Sequence, residues 1–154
     1  MTVVGMILWT IGYEKTRIDR FIAQLAQAGI TRLVDVRDVA WSHNRSYAKK
    51  ALEQALVGAG IGYTHLKALG NPKTGREAAH AGDTAAFHRI YRDHLASEPG
   101  QAALTELKRL AAAERTCIMC LEREPERCHR ILICETLAQE GVEIRHFIEP
   151  DLFR

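Results

Sequence analysis

The stretch CIMCLEREPERCHR, residues 117–130, holds the side chains of this sequence that are best suited to chemistry. Cys120 ends an apolar run, and Cys128, His129 and Arg130 open a pattern typical of a helix. The free N–H groups and the dipole of a helix start favour anions, and a thiol placed there gains reactivity. The pattern predicts an anion site with one reactive cysteine. A strand, a capping turn and solvated charges form the alternative without chemistry.

The same stretch could also be interpreted as a metal site, because Cys117, Cys120, Cys128 and His129 give a C-x2-C-x7-C-H spacing. Cys117 and Cys120 are three residues apart on a predicted strand, so their side chains should point to opposite faces. A zinc knuckle would place its C-x2-C on a turn instead. We therefore expect no metal site, a core position for Cys117, and no required cofactor.

Two further segments carry charged residues near predicted strand ends. In DVRD, Asp35 could be a general base or could orient Arg37, and Arg37 could clamp an anion with its planar fork. A structural salt bridge is the alternative. In WSHNRSYAKK, residues 41–50, basic side chains such as Arg45 are interleaved with aromatic ones, a pattern that suits phosphates and stacked bases. An ordinary solvated helix face would look the same.

The elements that must position these residues alternate between strands and helices. Short apolar runs predict five strands, in MILWTIG, TRLVDVR, IGYTHL, TCIMC and VEIRHF, with helix-spaced apolar residues between them. One of these helices should start near Ser46, which could cap it. The alternation predicts an α/β fold, an open and mostly parallel sheet of about five strands with helices on both faces in a Rossmann-like three-layer sandwich. Such sheets bind ligands at the carboxyl ends of their strands.

Composition is that of one ordinary globular domain over residues 1–154, with 47% hydrophobic and 26% charged residues. The segment at about 67–83, with three Gly and one Pro, predicts a long loop inside that domain. A net charge of +2 makes any basic patch local. The N-terminal apolar run is too short for a bilayer and follows no basic segment. We expect a cytoplasmic protein without membrane contact, whose four Cys are thiols.

With these residues considered, the chain resembles the family known as domain of unknown function 488, an uncharacterised prokaryotic α/β domain. The resemblance rests on TIG, DVR, HLxxLG and C-x-E-x-x-P-x-x-C-H-R in this order. It implies a compact α/β domain and assigns no reaction. It also marks the residues that match the family pattern at Thr10, Gly12, Asp35, Arg37, His65, Leu69, Gly70, Cys120, Glu122, Pro125, Cys128, His129 and Arg130.

A weaker likeness links the VDVR strand end and the cysteine-bearing loop to rhodanese and cysteine-phosphatase domains. Those domains cradle an anion with backbone N–H groups and close the loop with an arginine. Here six residues separate Cys120 from Arg127, where the phosphatase loop has five. The three glutamates of the loop would repel a phosphate unless they point away. A rhodanese-like or cysteine-phosphatase-like thiol enzyme therefore stays an alternative.

The leading hypothesis is an enzyme with an anion-binding pocket for a nucleotide, a nucleic acid or another phosphorylated or anionic small molecule. The candidate catalytic residues are Asp35, Cys120, Glu122 and His129. The candidate anion- and substrate-binding residues are Thr10, Gly12, Arg37, Arg45, His65, Cys128 and Arg130. A non-catalytic nucleic-acid-binding module is an alternative from another class, and it would use Arg45, Lys49, Lys50, Lys73 and Arg76. The sequence does not specify an oligomeric state.

Overall fold

A computed structural model describes residues 5–148, so both ends of the domain predicted over 1–154, residues 1–4 and 149–154, lie outside the described part. Its centre is a five-stranded sheet in the order β3-β2-β4-β1-β5. Every pairing is parallel. The strands are β1 Ile7–Gly12, β2 Arg32–Asp35, β3 Gly62–His65, β4 Thr116–Cys120 and β5 Glu143–Phe147. All five predicted strands and their parallel arrangement are confirmed.

Six α-helices connect and cover these strands. They are α1 Ile18–Gln27, α2 Lys49–Gly58, α3 Lys73–His80, α4 Thr84–Ala96, α5 Glu98–Ala113 and α6 Arg130–Gln139. Buried residues of α1 and α2 form one core cluster with the sheet, and those of α4, α5 and α6 form the other. The predicted three-layer sandwich is therefore confirmed. No helix within residues 5–148 has the length and apolar character needed to cross a bilayer.

Strand β4 shows how the sheet separates its two faces. All five of its residues are buried, as expected for a strand covered on both sides. Cys117 and Met119 belong to the cluster with α1 and α2, whereas Ile118 and Cys120 belong to the cluster with α4, α5 and α6. This alternation puts the thiols of Cys117 and Cys120 on opposite faces of the sheet.

The prediction of a long loop at about 67–83 is wrong for most of that segment. It contains a short 3-10 turn at Lys67–Leu69 and the eight-residue helix α3. Position 75, inside α3, accepts only a residue without a Cβ, because the side chain of Asn71 occupies the space that a Cβ would need. The predicted Ser46 cap is wrong too. Asn44 caps a 3-10 turn by accepting a hydrogen bond from the Ser46 N–H, and α2 begins only at Lys49.

Candidate functional site

A pocket of about 410 Å³ opens at the carboxyl edge of the sheet, where ligands bind in folds of this class. It lies between the end of β2, the segment after β4 and helix α3. The residues that line it are Tyr13, Arg37, Asp38, Val39, Trp41, Asn71, Arg76, Ala79, His80, Phe87, Cys120, Leu121, Glu122, Arg127, Cys128 and His129.

Two sulfur atoms and a carboxylate meet on one side of this pocket. The sulfur atoms of Cys120 and Cys128 are bonded to each other, and the two Cα atoms are 7.5 Å apart. The Glu122 carboxylate Oε2 is 3.6 Å from the Cys120 Sγ. One ligand-type atom of each residue lies within 4.8 Å of the other two. We call Cys120, Glu122 and Cys128 the sulfur–carboxylate cluster.

Burial changes the acid chemistry of this cluster. Desolvation raises the pKa of Glu122, opposed by its own backbone N–H and by the positive charge of Arg130. A carboxyl group whose pKa is raised can hold a proton closer to neutral pH and donate it as an acid. The geometry is therefore compatible with the acid/base role expected for Glu122.

Arg130 does not reach the pocket, so the structure does not support its expected role as an anion ligand. The side chain is fully buried. Its guanidinium donates to the backbone carbonyls of Glu122 and Arg123 and lies 2.9 Å from the Cys120 Sγ. Its Nε–H also donates to Thr10 Oγ1 at 3.3 Å. Arg130 thus holds the segment after β4 in place from behind.

The start of α6 does not form the expected anion cradle either. The Arg130 N–H is 3.5 Å from the Cys128 Sγ, and the next N–H groups donate to the carbonyls of Cys128 and His129. Earlier in the segment, the Arg127 N–H donates to the Glu124 carbonyl. These N–H groups are used locally. These donors are therefore not directed at a common point in the pocket.

His129 is held as a neutral base beside a sulfur atom. Its Nε2 is 2.7 Å from the Val36 carbonyl, which can only accept, so Nε2 carries the proton. Its Nδ1 then presents a lone pair 3.7 Å from the Cys128 Sγ. Burial lowers the pKa of His129 to about 4, and the nearby Arg130 charge acts in the same direction. The ring is thus an acceptor at neutral pH.

At the end of β2, Arg37 lines the pocket while Asp35 lies behind it. Arg37 donates from Nε and Nη2 to the two carboxylate oxygens of Asp35, at 2.9 and 2.7 Å. Tyr63 donates its hydroxyl to the same carboxylate at 2.6 Å. Burial disfavours the Arg37 charge, but the Asp35 carboxylate outweighs this and raises the pKa of Arg37. Asp35 therefore orients Arg37, and the structure does not place it as a base facing the pocket.

Several pocket residues were missed by the sequence analysis. Asp38 accepts from Arg76 at 2.7 Å and from Lys67 at 3.2 Å. Burial would raise the pKa of Asp38, but these two cations outweigh it and lower that pKa. Arg127 is exposed, and its side chain has no hydrogen-bond or ion-pair partner among residues 5–148. The sequence analysis named Arg127 only as the arginine that would close a phosphatase-like loop and Arg76 only within the nucleic-acid-binding alternative, and it did not predict the helix bearing Arg76.

The remaining sequence candidates support the pocket without lining it. Gly12 lets the Glu122 backbone cross the end of β1, because a Cβ at this position would collide with the Glu122 carbonyl. Thr10 Oγ1 bridges Arg130 and the Nδ1 of His146. The Nε2 of His65 is 2.7 Å from the Arg37 carbonyl. Arg45 lies apart from the pocket, on the turn before α2.

Apolar side chains surround the pocket opening. Val39, Trp41 and Leu121 are 57%, 59% and 44% exposed, and they are three of the five large exposed hydrophobic residues in the described part of the chain. Their gathering at one opening is typical of a binding surface. A larger cleft, of about 690 Å³, lies between α1 and the end of β5, far from the sulfur–carboxylate cluster. It holds Trp9 and Phe147 in stacking contact and none of the candidate catalytic residues.

Comparison with known proteins gives a family and no activity. The family model described as "Domain of unknown function DUF488" matches residues 17–137, which is most of the chain. No curated protein and no solved structure matches the chain significantly. The match covers the DVR, HLxxLG and C-x-E-x-x-P-x-x-C-H-R segments that build the pocket. The chain therefore belongs to the DUF488 family.

Proposed function

We propose that this chain is an enzyme that binds an anionic small molecule in the carboxyl-edge pocket and acts on it at the sulfur–carboxylate cluster. The observation that carries the proposal is the guanidinium of Arg127, which has no partner among residues 5–148 and lies on the same pocket as Cys120, Glu122 and Cys128. An arginine without a carboxylate partner can bind a phosphate or carboxylate with its planar fork. The substrate anion would supply the missing partner.

The balance of charge around the pocket favours an anion. Arg37 is neutralised by Asp35, and Asp38 is shared by Arg76 and Lys67. These groups together leave one positive charge, and Arg127 adds a second. The raised pKa of Glu122 weakens the main opposing charge. Among the charged groups that line this pocket, an anion would therefore meet net attraction, opposed by Glu126 on the adjoining surface beside Arg127.

The apolar opening points to a substrate with a flat or apolar part. Trp41 and its neighbours Val39 and Leu121 could cover a ring while Arg127 binds an anion on the same molecule. A nucleotide or another phosphorylated compound with a ring meets both requirements. Within the site, neutral His129 would accept a proton and Glu122 would donate one.

A thermal-stability measurement tests this proposal. Phosphate should raise the melting temperature of the wild type by linkage, and ten times Kd corresponds to about 1.4 kcal/mol. Arg127→Met should lose the rise, because it removes the anion ligand without touching the core. Arg89→Met is the matched control, since Arg89 is an exposed arginine of α4 outside the pocket lining. A rise that Arg127→Met retains, or that chloride at equal ionic strength reproduces, would contradict the proposal.

A thiol enzyme is the second candidate, favoured by the contact between Cys128 and His129. The Nδ1 lone pair, 3.7 Å from the Cys128 Sγ, could accept a hydrogen bond from the reduced thiol and hold that sulfur in place for attack. The reduced wild type would then form a covalent adduct with a substrate analogue, and Cys128→Ser would not. A nucleic-acid-binding module would instead show steep salt dependence and no response to Cys128→Ser.

A further inference from the structure

The sulfur–carboxylate cluster has the composition of a metal-ligand set. Thiolates and carboxylates both ligate zinc and related transition metals. The three donor atoms lie within 4.8 Å of one another, although no two of the residues are adjacent in sequence. Cys120 ends β4, Glu122 follows two residues later, and Cys128 precedes α6. Each donor is thus anchored next to a regular element or by the bonds that Arg130 makes to the intervening backbone.

The backbone spacing of the two cysteines suits a bridging ion. Their Cα atoms are 7.5 Å apart, whereas disulfides usually have about 4.4–6.8 Å. Two sulfur atoms that bind one zinc ion, each at about 2.3 Å, remain separate and accept a wider backbone spacing. The positions of Cys120 and Cys128 therefore fit ligation by the reduced pair better than a permanent cross-link.

The surroundings of the cluster favour the ionised ligands that a metal needs. The Arg130 guanidinium is 2.9 Å from the Cys120 Sγ and stabilises negative charge on that sulfur. The Nδ1 of His129 presents a lone pair, and no proton, 3.7 Å from the Cys128 Sγ, since its Nε2 carries the proton that the Val36 carbonyl accepts.

We propose that reduced Cys120 and Cys128, together with the Glu122 carboxylate, bind one thiophilic divalent transition metal, of which zinc is the best match to these ligands. Three protein ligands would leave one coordination position of such an ion for water or a substrate, as in catalytic rather than structural zinc sites. The expectation of no metal came from the C-x2-C pair. Cys117 lies on the other face of the sheet and is not a ligand in this proposal. The third ligand is Glu122, which the C-x2-C-x7-C-H spacing does not contain.

Cobalt titration of the reduced, metal-free full-length protein tests the site. We expect one Co²⁺ per chain, with a sulfur-to-cobalt charge-transfer band that zinc displaces. Cys128→Ser should remove most of that band. Glu122→Gln should weaken cobalt binding at least about tenfold while the charge-transfer band persists, because only the oxygen ligand is lost. Cys117→Ser and Cys134→Ser are the controls, since both are buried free cysteines outside the cluster.

Each outcome of the titration decides the proposal. It is overturned if reduced wild type shows no charge-transfer band, or if Cys128→Ser binds cobalt as wild type does. It is also overturned if Glu122→Gln leaves the affinity unchanged, since the carboxylate would then not be a ligand. Circular dichroism shows whether each variant folds, and Glu122→Gln alone decides the matter if Cys128→Ser does not. Phosphate binding is measured separately, so metal binding and the anion proposal can fail independently.

Discussion

Two regions at the carboxyl edge of the sheet differ in how their charged side chains are paired. The β2 end, residues 35–38, pairs each of its charged side chains: Asp35 with Arg37, and Asp38 with Arg76 and Lys67. The β4–α6 segment, residues 121–129, contains Arg127, whose side chain has no partner among residues 5–148, and places a carboxylate, a neutral imidazole and two sulfur atoms around a pocket. The charged side chains of the first region are paired with each other, whereas Arg127 is the arginine that we propose as the ligand of an anion.

The difference comes from what lies within reach of each buried arginine. Arg37 finds the Asp35 carboxylate two residues away and forms a bidentate pair, which leaves it at the pocket wall. Arg130 finds the backbone carbonyls of the β4–α6 segment instead. The Arg130 guanidinium fixes the shape of that segment and does not line the pocket, so in the proposed function Arg127 is the anion ligand. Arg37 and Arg130 both belong to the family motifs, yet one pairs with a carboxylate at the pocket wall and the other binds backbone carbonyls behind it.

The largest effect should come from removing Arg130. Arg130→Met leaves the carbonyls of Glu122 and Arg123 without a charged donor and should cost about 3–5 kcal/mol of unfolding free energy. Arg127→Met, three residues away, should change it by less than about 0.5 kcal/mol, because that side chain is exposed. Urea denaturation measures both values. Equal costs for the two variants would break the distinction between a shaping and a binding arginine.

The β2 end should respond as a coupled pair. Asp35→Asn leaves the buried Arg37 charge uncompensated, and Arg37→Met leaves the Asp35 charge in the same condition, so each should cost about 3 kcal/mol. The double variant should cost less than the sum of the two. A double-mutant cycle in urea gives the coupling energy. Additive costs would mean that the pair is not the unit that completes this region.

A smaller, pH-dependent effect should appear at His129. Its pKa is about 4 in the folded protein, against about 6.5 in the unfolded chain. The unfolded chain therefore binds more protons, and stability should fall as the pH drops from about 6.5 to about 4, by at most about 3 kcal/mol. His129→Gln should flatten this fall, and exposed His43→Gln should not. If His129→Gln showed the same pH dependence as the wild type, a group other than His129 would cause the loss of stability.

The sequence predicted the sheet well because short apolar runs and helix-spaced apolar residues are local signals. Strand TCIMC was predicted with its observed bounds, and the opposite faces of Cys117 and Cys120 follow from that strand alone. Helix α3 was not predicted because its sequence contains Gly75 and charges of both signs and lacks helix-spaced apolar residues. A Cβ at position 75 would collide with the Asn71 side chain, and that requirement for glycine depends on how the segment before α3 folds, which the composition of the helix does not reveal.

The candidate site was predicted only in part, both in its members and in its geometry. Arg37, Cys120, Glu122, Cys128 and His129 do line one pocket. The direction of Arg130 could not be predicted, because a long side chain at a helix start can reach either a ligand or nearby carbonyls. Which one it reaches depends on how the segment after β4 folds back over Gly12, and that is set by three-dimensional packing.

A phosphate titration of ¹⁵N-labelled protein, followed by amide chemical shifts, tests the central claim most directly. The claim is that the β4–α6 segment and the pocket it borders need an anion. The account predicts saturable shifts centred on the amides of Arg127, Cys128 and His129, with smaller ones at Asn71 and Arg76 across the pocket. Shifts centred on residues 45–50 before and within α2, or none that saturate, would contradict it.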